Sequence, residues 1–402
     1  MNLEALKGWT PAQKHVVAAG FLGWMLDAFD FFLLVFVIRD VAHEFHVGIG
    51  AVAIALTLTL ASRPIGAFVF GRLADRYGRR PVLMIDVAIY SLLAFATAFS
   101  PNLTAFLLLR SLFGVAMGGE WGVGASLVME SVRPQSRGFV SGLLQSGYPC
   151  GYLLASIAFA VLYPYLGWRG MFMIGIAPAL LILYIRRRVP ESPTWGPHVH
   201  ETGGTVGVLR RHWRLALFCI LLMTAFNFLS HGTQDLYPTF LQVQRGFDHA
   251  TVSTIAIVYN IGAIIGGISF GMASQHYGRR RMIVIAASLS ILAAPLWAFA
   301  PTAALLGVGA FLMQVFVQGC WGIIPAHLNE LSPPQARATF PGTVYQLGNL
   351  IASSNAPLQV MIAGAFAGAY SVALAAVAIA SAVIIAVLAS VGHEAKDAAL
   401  TA

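Results

Sequence analysis

Twelve apolar runs, each close to the roughly 20 residues a helix needs to cross a hydrocarbon core, divide this chain from end to end. They fall near residues 15–38, 48–70, 82–100, 103–129, 138–162, 169–189, 213–241, 250–271, 282–300, 302–328, 338–364 and 368–391. Inside lipid every backbone N–H and C=O must find a partner within the protein, and for separate runs of this length that means helix. The expected fold class is therefore all-α and integral to a membrane, with twelve transmembrane helices. Composition agrees: 58% of the residues are hydrophobic and only 10% are charged, against about 25% charged in soluble domains. The first run is too long for a leader and has no small-residue cleavage site after it, so it reads as a span.

The net charge of +8 reports topology. Of 24 Lys and Arg, 19 fall on the side of the termini; Arg39, Arg169 and Arg245 lie opposite, and Arg63 and Arg110 lie within spans. Cations concentrate on the cytoplasmic face, which predicts cytoplasmic termini in a plasma or inner membrane. Scattered over short loops, these cations offer nucleic acid no footprint. Cys150, Cys219 and Cys320 all lie in spans, so neither a disulfide framework nor a metal cluster is expected. No span carries a nucleophile–base set or paired-His metal spacing, which argues against an enzyme and against any cofactor.

The two halves repeat each other. Gly71-Arg72-Leu73-Ala74-Asp75-Arg76-Tyr77-Gly78-Arg79-Arg80 returns as Gly271-Met272-Ala273-Ser274-Gln275-His276-Tyr277-Gly278-Arg279-Arg280. Trp121, Gly122, Glu130, Pro134, Gln135 and Arg137 return as Trp321, Gly322, Glu330, Pro334, Gln335 and Arg337, again 200 residues later. Two matches in one register predict two six-helix bundles related by a pseudo-twofold axis, with a substrate site between them near the midplane. The division expected is residues 1–188, a Pro/Gly/His/Arg-rich linker at 189–211, and residues 212–402.

GRLADRYGRRP resembles the loop between spans 2 and 3 of the major facilitator superfamily, and the weaker second copy lies where that family has it. The resemblance covers essentially the whole chain and implies a transporter working by alternating access. Gly71 and Gly78 would permit close approach and a tight turn. Asp75, near helix N-termini and among Arg76 and Arg79, would latch the cytoplasmic side. Glu130 with Arg137, and Glu330 with Arg337, are the expected paired gate contacts. Gln275 and His276 stand for Asp75 and Arg76 in the second copy, which predicts a weaker latch there.

Polar residues inside the spans are the candidates for function, since each ionisable group there costs a few kcal/mol. Asn227, Ser230, His231, Gln234 and Asp235 fall within an arc of about 140° on one helix. Asp235 lies one turn from His231, which titrates near neutrality when unperturbed. The offset sets Asp27 against Asn227 and Asp30 against Ser230. Asp27 and Asp30 share one helix face, and two carboxylates so close in low dielectric resist ionising together. Arg63 can hold a carboxylate by two parallel hydrogen bonds; it can equally pair with Asp27 or Asp30. Arg110, with Gly114 and Gly118, serves proton coupling or helix packing, and Glu120 is a third intramembrane acid, a secondary candidate for proton coupling. Gln145, Tyr148, Pro149, Tyr345, Gln346 and Asn349 are expected to line the same cavity.

The run Asn227, Ser230, His231, Thr233, Gln234, Asp235, Thr239 resembles the N-x-x-[ST]-H-x-[ST]-Q-D-x-x-x-T signature of the Jen-type lactate/pyruvate–proton symporters, relatives of the sialate–proton symporters. That resemblance implies a proton-coupled carrier of a small organic anion, a monocarboxylate such as lactate or pyruvate. It assigns transport and proton coupling to His231 and Asp235 and points to Arg63 and Gln346 as further cavity positions. MLDAFDFF also resembles the D-G-x-D element of aromatic-acid–proton symporters, with Ala28 in place of Gly, and no Arg stands in span 8. Sialate and aromatic acids stay open as substrates. A sugar carrier is disfavoured by Arg63, and a transporter-like sensor has little chain outside the spans with which to signal. The expected partners are the anion, protons and lipid, with the chain acting as a monomer.

Overall fold

The computed structural model describes residues 8–196 and 204–400, so residues 197–203 of the expected linker lie outside the described residues. The first half contains α1 (Pro11–Glu44), α2 (Ile49–Tyr77), α3 (Arg79–Thr97), α4 (Leu103–Ser131), α5 (Arg137–Ile174) and α6 (Ala179–Arg188). A short helix, α7 (Gly204–Arg211), follows. The second half contains α8 (Trp213–Gln234), α9 (Tyr237–Thr239), α10 (His249–Tyr277), α11 (Arg279–Phe299), α12 (Ala303–Trp321), α13 (Ile324–Leu331), α14 (Thr339–Ala352), α15 (Asn355–Ala365) and α16 (Tyr370–Val391).

Ten of the resulting stretches are long and apolar enough to span a membrane. The sixth and eleventh spans cross in pieces and bring the number to the expected twelve. α5 holds the whole fifth span and then bends at Gly167, whose φ of 60° follows Pro164 and suits a residue without Cβ. The sixth span starts beyond that bend, breaks over Gly175–Pro178 and resumes as α6. In the seventh, α8 passes through α9 into a π turn at Phe240–Gln244. The tenth span is α12 plus α13, interrupted before Pro325. The eleventh is α14 plus α15, interrupted at Ser353–Ser354.

The helix starts are sealed by their own side chains. Thr10 and Gln13 form a reciprocal capping box ahead of Pro11. On the side opposite the termini, Asn102, Asp248 and Thr302 accept hydrogen bonds from the backbones of Ala105, Thr251 and Leu305. Hydrogen bonds from the Thr251 side chain and backbone hold the exposed Asp248 carboxyl below its usual range.

Packing repeats as the sequence does. α2 lies on α4, α1 on α5 and α3 on α6; in the second half α10 lies on α12, α8 on α14 and α11 on α16. The halves meet along α5–α10 and α2–α14, again a symmetry-related pair. Large apolar side chains such as Leu92, Leu180 and Leu292 point outward, where a bilayer would cover them.

Candidate functional site

A cavity of about 440 Å³ separates the halves, within the usual size of small-molecule sites. Its walls come from α1, α2, α5, α8, α9, α10, α12 and α14, and the residues on them cluster around the middle of the spans. Arg63, Asn227, Ser230, His231, Gln234, Asp235 and Tyr345, all expected there, line it, as do Gln145, Tyr148, Pro149 and Asn349.

The second-half wall is an amide and imidazole network. His231 Nδ1 lies 3.2 Å from Asp235 Oδ2, one helical turn on, and His231 Nε2 lies 3.1 Å from Asn349 Oδ1 on α14. Gln234 donates to Ser230 Oγ (3.2 Å) and to Gln314 Oε1 (3.1 Å), and Gln314 donates to Thr233 Oγ1 (3.2 Å). Asn227 donates to Met223 O at 2.8 Å and lines the cavity. Each ring nitrogen of His231 is thus held by a neighbour, which fixes the ring's orientation.

The first-half wall is aromatic with one cation. Trp24 stacks on Tyr148, with centroids 5.4 Å apart, and Phe32 packs edge-on to Tyr148. Trp121 and Trp321, equivalent in the repeat, both pack against Tyr345. Arg63 is 2% exposed and sits over Phe31, with its guanidinium 5.3 Å from the ring centre. One of its nitrogens contacts Met117 Sδ, Nε has no hydrogen-bond partner, and no ion pair joins it to Asp27 or Asp30 among the described residues. A buried guanidinium so weakly satisfied carries a cost that a further hydrogen-bond acceptor would relieve.

The positions of three residues, Gln346, Asp27 and Asp30, differ from those expected. Gln346 is fully buried and receives a hydrogen bond from Asn349 (3.4 Å). Tyr345 and Asn349, one turn apart, take the cavity face of α14, and Gln346 is rotated about 100° away. Asp27 and Asp30 do not face α8 across the cavity. α1 turns Trp24, Phe31, Phe32 and Val35 to the cavity and buries both acids inside its own bundle. Arg110 and Glu120 on α4 are buried in that bundle too, with the Arg110 guanidinium 4.0 Å from the Phe113 ring centre. The glycines beside Arg110 do pack closely: a Cβ on Gly114 or Gly118 would come within 2.2 Å or 2.0 Å of the Thr59 or Arg63 carbonyl oxygen of α2.

On the side of the termini the halves are in contact. Asp75 accepts from the N–H groups of Ala338 (2.9 Å) and Thr339 (3.1 Å) and from the Thr339 hydroxyl (2.6 Å), at the start of α14. Gly71 lets α2 approach, since a Cβ there would lie 2.6 Å from Thr339 Cα. Gln275 repeats the arrangement at the start of α5, accepting from Gly138 N at 3.1 Å. As a neutral amide it lacks the carboxylate's attraction to a helix N-terminus.

The gate pairs differ from those expected. Arg79 makes two bonds to Glu130 (3.0 and 3.1 Å) and Arg279 makes two to Glu330 (both 3.0 Å). Arg137 reaches across to Glu330 at 3.8 Å and donates to Ala398 O, while Arg337 donates to Leu400 O. α5 begins at Arg137 and packs on α10, which carries that side chain toward the other half. Arg76 is exposed over Tyr77 and makes no latch contact among the described residues. Gly78, with φ of 105°, makes the turn into α3, whose first N–H groups are capped by Glu191, as Glu394 caps the start of α11. Burial opposes the charge of Asp397. Hydrogen bonds from Lys396 and Gln275, with the Lys396 and Arg279 charges, outweigh it and hold the carboxyl below its usual range.

Several site residues escape a reading of the sequence. Gln314 and Gln318 on α12 and Asn260 on α10 line the cavity; the signal available was polar residues inside apolar runs, two of them four apart. Asp86 and Tyr90 on α3 are fully buried with no side-chain hydrogen-bond partner among the described residues; a lone Asp near the start of a span reads as a boundary.

Two helical bundles enclosing a polar, cation-bearing cavity at their interface define a membrane carrier. Comparison with known proteins agrees: the model of the Major Facilitator Superfamily matches residues 20–357 and 236–399. The chain belongs to that superfamily. A carboxylic acid transporter protein homolog of Saccharomyces cerevisiae is 29% identical over 376 residues, 86% of this chain and 61% of the yeast protein. The chain thus spans less than two thirds of that relative's length. The sialic acid transporter NanX of Escherichia coli is 26% identical over 342 residues, 84% of each chain. The proton:xylose symporter XylE shares the fold, with a TM-score of 0.76, 17% identity and coverage of 97% of this chain and 98% of its own. These relatives are transporters and not enzymes.

Proposed function

We propose that this protein is a proton-coupled symporter of a small organic anion, a monocarboxylate such as lactate or pyruvate, in the plasma or inner membrane with both termini cytoplasmic. The observation that carries this reading is the pairing, across one cavity, of a buried and under-satisfied Arg63 with the His231–Asp235–Asn349 network. The substrate carboxylate binds Arg63, and Asn227, Ser230, Gln234 and Tyr345 supply hydrogen bonds and shape. A proton taken up at His231/Asp235 or at Asp27/Asp30 lets the loaded carrier switch. The bodies that rock are residues 1–188 and 212–402, joined by the linker 189–211 and acting as a monomer. With the Asp75 and Gln275 contacts closing the cytoplasmic side, the conformation faces outward.

A second reading, a larger hydroxylated acid such as sialate, draws on the row of amides at Asn227, Gln234, Asn260, Gln314 and Gln318. Thermal-shift titration of the purified protein with lactate, pyruvate, sialate and benzoate at pH 5.5 and 7.5, each about one unit either side of the ordinary His value, separates the readings. Stabilisation by lactate or pyruvate, stronger at the lower pH, supports the first. Stabilisation by sialate alone supports the second, and no response to any acid contradicts both.

A further inference from the structure

Apart from the cavity, the first bundle encloses four carboxyl groups: Asp27 and Asp30 on α1, Asp86 on α3 and Glu120 on α4. All are at most 1% exposed, and none of their eight oxygens has a hydrogen-bond partner among the described residues. They share one electrostatic environment: Asp30 interacts with the charges of Asp27 and Arg110, Asp27 with that of Glu120, and Asp86 with those of Glu120 and Asp27. The Tyr90 hydroxyl, also without a hydrogen-bond partner among the described residues, lies within the electrostatic reach of all four acids. The facing cations are Arg110 and, toward Asp27, Arg63. Glu120 lies over α1, its Oε1 2.4 Å from where a Cβ on Gly23 would be, so the cluster is held at a helix crossing.

Two cations cannot neutralise four carboxylates in a medium that penalises each uncompensated charge by several kcal/mol. Some of the acids therefore carry protons. Counted at 1.5 Å per residue from the terminal-side end of each helix, Asp30 lies about 28 Å in, Asp27 about 24 Å, Glu120 about 16 Å and Asp86 about 10 Å. The acids descend as a ladder.

We propose that Asp30, Asp27, Glu120 and Asp86 form a proton path through the first bundle to the cytoplasmic side, separate from the substrate cavity, with Asp86 as its last carboxyl. At each step the O–H bond of one carboxylic acid breaks and an O–H bond forms on the next carboxylate; the last proton goes from Asp86 to water. Asp86 stands two turns above Arg79, which begins α3 and bonds Glu130 in the closed gate. Opening that gate brings water to Asp86 and couples proton release to the inward-facing state.

This inference rests on the symport reading, and one experiment separates their failures. Parent, Asp86→Asn, Asp86→Glu and Glu120→Gln proteins are reconstituted and assayed with radiolabelled lactate in two modes: uptake driven by an imposed pH gradient, and equilibrium exchange, which needs no net proton release. Asp86→Asn and Glu120→Gln are expected to lose at least tenfold of the driven uptake while keeping exchange within twofold, and Asp86→Glu to restore driven uptake. Driven uptake by Asp86→Asn equal to the parent's overturns the path alone. Equal loss of both modes, without rescue by Glu, assigns Asp86 a structural role and also overturns it. Absence of driven uptake in the parent overturns the path together with the symport reading.

Discussion

Arg63 and His231 occupy opposite walls of one cavity, and their surroundings give them different work. Arg63 is buried over Phe31 with little to bond, and under the proposed function an incoming carboxylate would supply what the protein does not. Arg63→Ala should weaken substrate binding by about 2 kcal/mol or more, roughly 30-fold. Arg63→Lys should recover only part of it, because an ammonium cannot form the parallel pair. Binding measured by isothermal titration checks both; unchanged affinity in Arg63→Ala would move the anion site elsewhere. His231, by contrast, is held at both nitrogens. His231→Ala should cut transport while the protein still inserts and folds, measured as uptake per amount of protein in the membrane. The α8 cassette was legible because charge and amides inside an apolar run have a price that only a wet interior removes. Gln346 was misread because one position along a helix is a 100° turn, and sequence spacing alone does not say which of two adjacent residues faces in.

At the scale of elements, span number and order could be read from apolar run length, since lipid leaves helices no alternative. The interruptions at Gly175–Pro178, Gly322–Ile323 and Ser353–Ser354 could not, because hydropathy is blind to where a backbone bond is broken. Gate pairing was misread for a related reason. Glu130 and Arg137 are close in sequence, but a new helix starts between them and swings Arg137 toward Glu330. The Asp75 contact to the start of α14 combines three hydrogen bonds with a helix dipole. Asp75→Asn should therefore loosen the closed side. In a Ser126→Cys background with the native cysteines replaced, an impermeant thiol reagent applied from the cytoplasmic side should label several-fold faster once Asp75→Asn is added. Ser126 is fully buried against Asn329 and Arg337 in this conformation. An unchanged labelling rate would show that the contact does not hold the gate.

For the whole molecule, the 200-residue offset turned a list of spans into two bodies with a site between them, and helix packing repeats with the same symmetry. Chemistry breaks that symmetry. One half contributes a cation and a buried cluster of acids, the other an amide and imidazole wall. An anion entering with one proton moves no net charge, so a pH gradient and not a membrane potential should drive it. The most direct measurement is lactate uptake into proteoliposomes with the outside acidified. Accumulation several-fold above the equilibrium level, abolished by a protonophore and indifferent to a potassium-diffusion potential, is the result expected. Uptake that ignores the imposed pH gradient would contradict proton-coupled symport.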